Sequence, residues 1–334
     1  YFGETPYKND CIVLPHQSIS TRRVPGTSVE YPYLTTEDFF EEKLISLPFK
    51  ANESDFYIGI GTLNEEKSFL VPLKKRFFDF FKVESLNRYL SFQHKGTSIV
   101  YTLNVPVIGG QEISLKKVYD LEEDVSDLNI GLAIFPLLKY FKMRNNQRTP
   151  AYNSYKMLAF IENGYEIDID IHSLSSLNIK DGSTNISEGG KEDQRVISSE
   201  RRTNTSLGFT KHFKINTDFD FLCIKTKLEW TELSGLIVPK FEEREEGQQV
   251  FSASIDFGTT NTFVGIDNGN SIEALKISKE EMCVGLLNKT GSNLFSGFGL
   301  IQNGMEKVLK TEFIPPAIQG VNGQEGLAFP IRTV

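Results

Sequence analysis

The clearest pattern in the chain is an alternation of apolar with polar or small residues between residues 97 and 121. A period of two is typical of a strand that has one buried face. The apolar positions of its first arm are Ile99, Tyr101, Leu103, Val105 and Val107. Gly109 and Gly110 then form a two-residue turn signal, and Ile113 and Leu115 resume the alternation. The sequence therefore predicts a β-hairpin in this segment.

Three further segments carry less regular patterns. Residues 209–230 return to strand-like alternation, whereas residues 71–92 place several phenylalanines on one broad helical face and predict a partly helical segment. Residues 128–142 are strongly apolar and fit a buried strand, a helix, or a strand followed by a helix. Periodicity alone does not separate these alternatives.

A strand is also predicted over residues 163–177, where isoleucines recur at every second position. The opposite face of that strand carries Glu166, Asp168, Asp170 and His172. Three acids and a histidine at this spacing could hold a metal ion. Alternatively they form a strand face that points into water, and a return strand supplies Lys or Arg opposite the acids. The pattern favours the second interpretation.

The organisation of the chain follows from two polar segments. Residues 178–206 are rich in Ser, Gly, Asn and charge, which predicts a long mobile polar loop. A charged connector with one Pro and one Gly occupies residues 239–250 and is the best candidate for a domain boundary. We therefore expect a β-rich module over residues 1–245, whose sequence contains no common catalytic motif, and a second domain over residues 251–334.

Composition narrows the functional classes. Of 334 residues, 39% are hydrophobic and 24% are charged, which is typical of a globular protein with a core. The net charge of −8 disfavours a nucleic-acid partner. No stretch approaches the ~20 consecutive apolar residues of a membrane span. Three widely spaced cysteines indicate reduced thiols and a cytoplasmic protein. A start at Tyr1 without an initiator Met suggests a segment of a longer chain.

The segment FSASIDFGTTNTFV (251–264) is where the sequence indicates chemistry. Together with NTFVGID (261–267) and SIEALKI (271–277), it predicts a three-stranded antiparallel meander. The first turn of this meander is either an ordinary hairpin turn or a cradle for phosphate.

Several residues of this turn have the properties that a phosphate cradle needs. Gly258 permits a close approach of the anion, and Thr259, Thr260 and Asn261 supply consecutive backbone N–H donors. Asp256 stands at the expected end of a buried strand, where it suits a Mg²⁺ ion with its water shell.

The stretch IDFGTTNTFVGI resembles the first phosphate motif of the actin, sugar-kinase and heat-shock-chaperone ATPase superfamily. It is closest to the DnaK-like chaperones, whose motif runs I-D-L-G-T-T-N-S, with Phe257 and Thr262 as mild replacements. Residues 310–334 resemble the stretch that follows in that family. The resemblance implies a ribonuclease-H-like fold for residues 251–334. The expected class is therefore α+β, with a β-rich N-terminal module before the start of an actin-like ATPase domain.

The resemblance also implies a nucleotide site that binds ATP or ADP with Mg²⁺ in the full-length parent. Asp256 would order the ion through water. The β- and γ-phosphates would contact Gly258, Thr259, Thr260, Asn261 and Thr262. No catalytic residue is assigned, because the second phosphate loop and the adenosine motif of the family are not found here. We expect the segment alone to lack ATP hydrolysis and to hold no nucleotide tightly.

Two functions are compatible with this sequence. The first is a segment of a divergent DnaK-like ATPase, chaperone-like or regulatory, that carries the first phosphate loop. The alternative is a non-catalytic protein-interaction module with a degenerate ATPase-like scaffold. In either case the expected partner is another protein or the remainder of the parent chain, and neither nucleic acid nor a membrane.

Overall fold

A computed structural model describes the chain in sixteen segments. The described residues are 34–57, 67–106, 112–145, 147–151, 154–162, 164–174, 196–205, 208–228, 231–247, 250–257, 261–267, 269–278, 283–287, 318–319, 325–328 and 331–332. Strands account for 61% of the structure and helices for 9%. The protein is therefore strongly β-rich.

The strands run through the whole described chain. The first eleven are β1 (Leu44–Leu47), β2 (Phe56–Tyr57), β3 (Ser68–Phe69), β4 (Leu90–Lys95), β5 (Ser98–Pro106), β6 (Glu112–Asp120), β7 (Val125–Asp127), β8 (Ile130–Phe135), β9 (Leu138–Arg144), β10 (Gln147–Pro150) and β11 (Tyr155–Glu162). The next seven are β12 (Ile167–His172), β13 (Val196–Thr205), β14 (Gly208–Ile215), β15 (Phe221–Leu228), β16 (Thr231–Pro239), β17 (Glu242–Glu245) and β18 (Ser252–Phe257). The last seven are β19 (Asn261–Asp267), β20 (Ile272–Ala274), β21 (Lys276–Ser278), β22 (Gly285–Leu286), β23 (Ile318–Gln319), β24 (Glu325–Ala328) and β25 (Ile331–Arg332).

The described helices are single turns. The α-helices are α1 (Thr36–Phe39) and α2 (Leu86–Tyr89), and 3-10 turns cover Lys75–Asp79 and Val83–Ser85. The backbone N–H of Thr35 donates to the Asp38 carboxylate at 2.7 Å, which caps the start of α1. Within the described residues, no helix is long and apolar enough to cross a membrane.

Contacts divide the chain into two compact units. Unit 1 contains Tyr1–Ile130, Gly164–Asp193 and Phe219–Pro239, and unit 2 contains Gly131–Asn163, Gln194–Asp218 and Lys240–Val334. Each unit is therefore assembled from segments that are distant in sequence. The predicted division of the chain into residues 1–245 and 251–334 stays a prediction.

Among the described residues, unit 1 contains three small sheets. Their strand orders are β3-β1-β7, β12-β15-β16-β2 and β4-β5-β6. The predicted hairpin is confirmed in the last of these, because β5 pairs with β6 from Ser98↔Asp120 to Pro106↔Glu112. Its alternation is also confirmed, since the side chains at 99, 101, 103 and 105 are buried and their neighbours are not. Val107, Gly109 and Gly110 lie outside the described residues.

The core of unit 1 explains why residues 71–92 do not form a regular helix. Phe77 stacks on Phe81 with ring centroids 4.8 Å apart, and Phe78 stacks on Phe221 at 4.2 Å. Phe77 and Phe78 are neighbours in sequence, yet both are buried. The two rings thus pack against different partners, and short 3-10 turns followed by α2 replace a continuous helix in this segment.

Unit 2 contains four sheets, with strand orders β10-β9-β17, β13-β14-β11-β8-β22, β21-β24-β23 and β18-β19-β20, the last joined by β25 on β19. The open alternatives for residues 128–142 resolve into two strands, β8 and β9, separated by Pro136 and Leu137. A small core lies on the five-stranded sheet and contains Ala133, Leu158, Phe160 and Leu286.

Two predictions are wrong. The α+β class with a ribonuclease-H-like domain over 251–334 fails because every described element in that range is a strand, and an α+β fold needs helices that cover a sheet face. The predicted loop over 178–206 fails in part, because β13 pairs with β14 from Val196↔Ile215 to Arg201↔Thr210. Cross-strand pairing compensates there for a composition poor in apolar residues, and residues 178–195 lie outside the described chain.

Candidate functional site

The predicted three-stranded meander is confirmed. β18 pairs with β19 from Ser252↔Asp267 to Phe257↔Thr262, and β19 pairs with β20 on its other side. This register places the first turn after Phe257, where the sequence predicts it. Gly258, Thr259 and Thr260 lie outside the described residues. Asn261 and Thr262 are the first residues of β19, and their backbones pair with Arg332 and Ile331.

Asp256 does not occupy the expected end of a buried strand. Every residue from Phe251 to Asp256 is exposed, and Asp256 lies directly opposite Phe263. In the part of the chain that the structure describes, no three His, Cys, Asp or Glu side chains gather into a metal-binding group. The described residues thus supply one exposed carboxylate of the predicted set, and the Mg²⁺–nucleotide site stays a prediction.

The acids of β12 meet a lysine from the return strand. Asp168 lies opposite Lys225 in the β12–β15 register, and the Lys225 ammonium contacts the Asp170 carboxylate at 2.8 Å. The hydrogen bond that the Lys225 ammonium donates to the Asp170 carboxylate raises the pKa of Lys225. The interpretation of this face as a strand surface with a lysine partner is therefore confirmed for Asp168 and Asp170, but not for His172.

His172, at the end of the same strand, is buried rather than exposed. Its ring stacks on Phe221 with centroids 4.9 Å apart. Burial lowers the pKa of His172 to about 4, and Lys75 acts in the same direction. Because the neutral imidazole is strongly favoured here, His172 acts as an aromatic core residue at neutral pH.

A second polar group that the sequence did not reveal lies beside these strands in unit 1. The Cys223 thiol and the Ser234 hydroxyl are 3.4 Å apart on the neighbouring strands β15 and β16. Burial raises the pKa of the Cys223 thiol, so the thiol remains protonated and poorly nucleophilic. Burial likewise raises the pKa of the Glu41 carboxyl, against the lowering effect of Lys74. We assign this group a structural role.

The meander carries the most unusual surface of unit 2. Apolar side chains that would ordinarily be covered are exposed along it: Val250, Phe251, Ile255, Phe263 and Ile272. The exposed fractions are 49% for Phe251 and 54% for Ile255. Ala253, Ile255, Val264 and Ile266 share one face, because Ala253↔Ile266 and Ile255↔Val264 are direct cross-strand pairs. We call this the apolar face of the meander.

The outer edge of β18 is open among the described strands, since β18 pairs there only with β19. The Val264 carbonyl accepts a hydrogen bond from the Leu275 N–H at 2.8 Å, so Val264 directs its backbone groups towards the β20 side. Backbone groups alternate in direction along an antiparallel strand. Ile255, opposite Val264, therefore directs its N–H and C=O away from β19, and Ala253 does the same.

Comparison with known proteins adds no relative. No protein-family model matches the chain, and the searches of curated proteins and of solved structures found no match either.

Proposed function

We propose that the chain is a non-catalytic protein-interaction module that takes up an extended polypeptide segment along the outer edge of β18. The observation that carries this proposal is the coincidence of two features on one strand. Ala253 and Ile255 direct outwards backbone groups that pair with no other described strand, and Phe251 and Ile255 expose apolar side chains beside them. An added strand satisfies the first feature and covers the second.

The energetics of the edge favour an occupant. A long, flat and apolar edge strand is a liability that proteins usually block with charge, proline or a bulge. From Phe251 to Ile255 this edge has no charge and no proline, and its pairing with β19 is regular. Covering the exposed half of Ile255 contributes about 1 kcal/mol, and Phe251 contributes a similar amount.

The strand also specifies the chemistry of its occupant. The apolar positions alternate with Ser252, Ser254 and Asp256, which are exposed on the opposite face. A matching segment is extended, has apolar residues at every second position, and has polar or basic residues between them.

A peptide-display selection on the immobilised chain tests the proposal. Parent protein should enrich peptides with alternating apolar residues, and N-methylation of every second backbone N–H in a selected peptide should abolish its binding. The Ile255→Lys variant should lose this enrichment. Ile272→Lys is the matched control, because Ile272 is 72% exposed but lies on β20, away from the edge. Equal enrichment on parent and Ile255→Lys would refute the proposal.

Nucleotide binding at the first turn of the meander is a second candidate, favoured by the confirmed hairpin around the GTTN motif. The assignment to a divergent DnaK-like ATPase, with ATP or ADP and Mg²⁺ in the parent, remains a prediction that depends on this motif. If it holds, Mg-ATP should raise the Tm of the chain or of a longer parent, and Asp256→Ala should remove that shift. Equal Mg-ATP-induced Tm shifts in the unsubstituted protein and in Asp256→Ala would count against nucleotide binding at this turn.

We also propose a cytoplasmic location. The support is chemical: Cys223 is a free thiol, and such thiols persist in a reducing compartment. Alkylation of denatured protein taken directly from cells should label Cys223, and a disulfide at this residue would contradict the proposal.

A further inference from the structure

We infer that β18 pairs with β18 of a second copy of this chain, in an antiparallel register centred on Ser254. This inference deepens the proposed function and rests on it, because it names the occupant of the β18 edge. Three properties of β18 support this register: the direction of its backbone groups, the match of its side chains and its charge.

The first property is the direction of the backbone groups. Ala253 and Ile255 direct their N–H and C=O outwards, whereas Ser252, Ser254 and Asp256 direct theirs towards β19. Two β18 edges can therefore hydrogen-bond only in registers that place outward-directed residues opposite each other. Centring on Ser254 places Ala253 opposite Ile255 of the second copy. Those two residues then exchange both of their backbone hydrogen bonds, and twofold symmetry repeats the exchange.

The second property is the match of side chains. In this register the apolar Ala253 and Ile255 meet across the pair, a small residue against a large one, on the apolar face. The twofold axis is perpendicular to the sheet, so the apolar faces of the two meanders lie on the same side and become continuous. Ile255 of each copy gains Ala253 of the second copy as a lateral neighbour, which reduces the exposure of the Ile255 side chain at the edge.

The third property is charge. Asp256 is the one acid of β18, and the register places it opposite Ser252 of the second copy, whose hydroxyl can donate to the carboxylate. Shifting the centre to Asp256 would place the two carboxylates directly opposite each other, which is unfavourable. Centring on Ser254 pairs β18 over Ser252–Asp256 and also places Phe251 opposite Phe257.

Sedimentation equilibrium tests whether the pair forms. The chain of 37.8 kDa should associate to twice that mass as concentration rises over about three orders of magnitude. Ile255→Lys should weaken the dimer about a hundredfold, roughly tenfold for each of the two isoleucines. Ile272→Lys should leave association unchanged. A parent chain that stays monomeric throughout the series, or an Ile255→Lys variant that dimerises as the parent does, overturns the inference.

Disulfide trapping tests the register. In this register, residue 254 lies opposite residue 254 of the second copy, in a pair without mutual backbone hydrogen bonds. The two Cα atoms of such a pair lie about 4.5 Å apart, so a disulfide can close between them. In a background with Cys11 and Cys283 replaced by Ser, Ser254→Cys should therefore cross-link under mild oxidation. Ser252→Cys is the matched control, because residue 252 lies opposite Asp256 of the second copy and not opposite another cysteine. Cross-linking of Ser252→Cys at the same rate as Ser254→Cys overturns the register.

The outcomes separate this inference from the proposed function. A monomeric parent that still enriches alternating apolar peptides at β18 refutes the second copy as occupant and leaves the interaction module intact. A monomer that enriches no peptide refutes both. A dimer that is insensitive to Ile255→Lys places the interface elsewhere and overturns the inference.

Discussion

Replacing His172 by Phe should make the stability of the protein less sensitive to acid. His172 is buried and stacks on Phe221 at 4.9 Å, so a phenyl ring can keep the packing while removing the titrating group. Burial and the neighbouring Lys75 and Lys225 lower the pKa of His172 to about 4, and only Asp170 acts in the opposite direction. The folded protein therefore binds this proton less readily than the unfolded chain.

The sign and size of this pH dependence follow from the linkage between proton binding and unfolding. A His172 pKa of about 4 in the folded state against 6.5 in the unfolded chain corresponds to about 3 kcal/mol of unfolding free energy. That contribution is complete above pH 6.5 and is lost as the pH falls from 6.5 towards 4, because the unfolded chain takes up the proton first. Carboxylates titrate in the same range, so the informative quantity is the difference between parent and variant.

Urea unfolding followed by circular dichroism measures this difference. Between about pH 7.5 and about pH 4.5, the parent should lose about 2 to 3 kcal/mol more unfolding free energy than His172→Phe. His94→Gln, which removes an exposed imidazole from β4, controls for the loss of one histidine. Equal losses in the parent and in His172→Phe would show that His172 is hydrated in the folded protein and would refute the reasoning.

Two further predictions concern buried polar groups. Among the described residues the buried Tyr101 hydroxyl has no hydrogen-bond partner, whereas the Tyr119 hydroxyl donates to the Glu41 carbonyl at 2.8 Å. Tyr101→Phe should therefore stabilise the protein and Tyr119→Phe should destabilise it, each by about 1 kcal/mol in urea unfolding. Equal effects of the two substitutions would contradict this prediction. Lys139 is buried and contacts Asp218 at 3.2 Å, so Lys139→Met alone should cost about 3 kcal/mol in urea unfolding. Adding Asp218→Leu should recover only part of that loss in a double-mutant cycle, because Asp218 also accepts a hydrogen bond from the buried Tyr155 hydroxyl at 3.3 Å.

Local pattern was sufficient where a strand pairs with its neighbour in sequence. The β5–β6 hairpin and the β18–β19–β20 meander were both predicted, because alternation and turn residues specify them within about 25 residues. The lysine opposite the β12 acids was also anticipated, since a return strand commonly supplies one.

Pattern failed where distant segments decide the outcome. Val196–Thr205 looks like a loop by composition, yet it forms a strand because β14 offers a complete partner. The phenylalanines of residues 71–92 have a helical spacing, yet the core to which they contribute contains residues as distant as Phe221, and short turns serve that core better. Composition and periodicity contain no information about which distant segment a strand pairs with or a side chain packs against.

Asp256 shows why the candidate site could not be assigned from sequence. In FSASIDF, apolar residues alternate with Ser252, Ser254 and Asp256, and this alternation predicts a strand equally well whether its apolar face is covered or open. A cradle for magnesium requires Asp256 at the end of a buried strand, whereas an interaction edge requires the strand to be exposed. Exposure is a property of the packing around the meander and not of the motif. The alternation therefore predicted the hairpin correctly, whereas the chemistry of its turn depends on whether another strand covers β18.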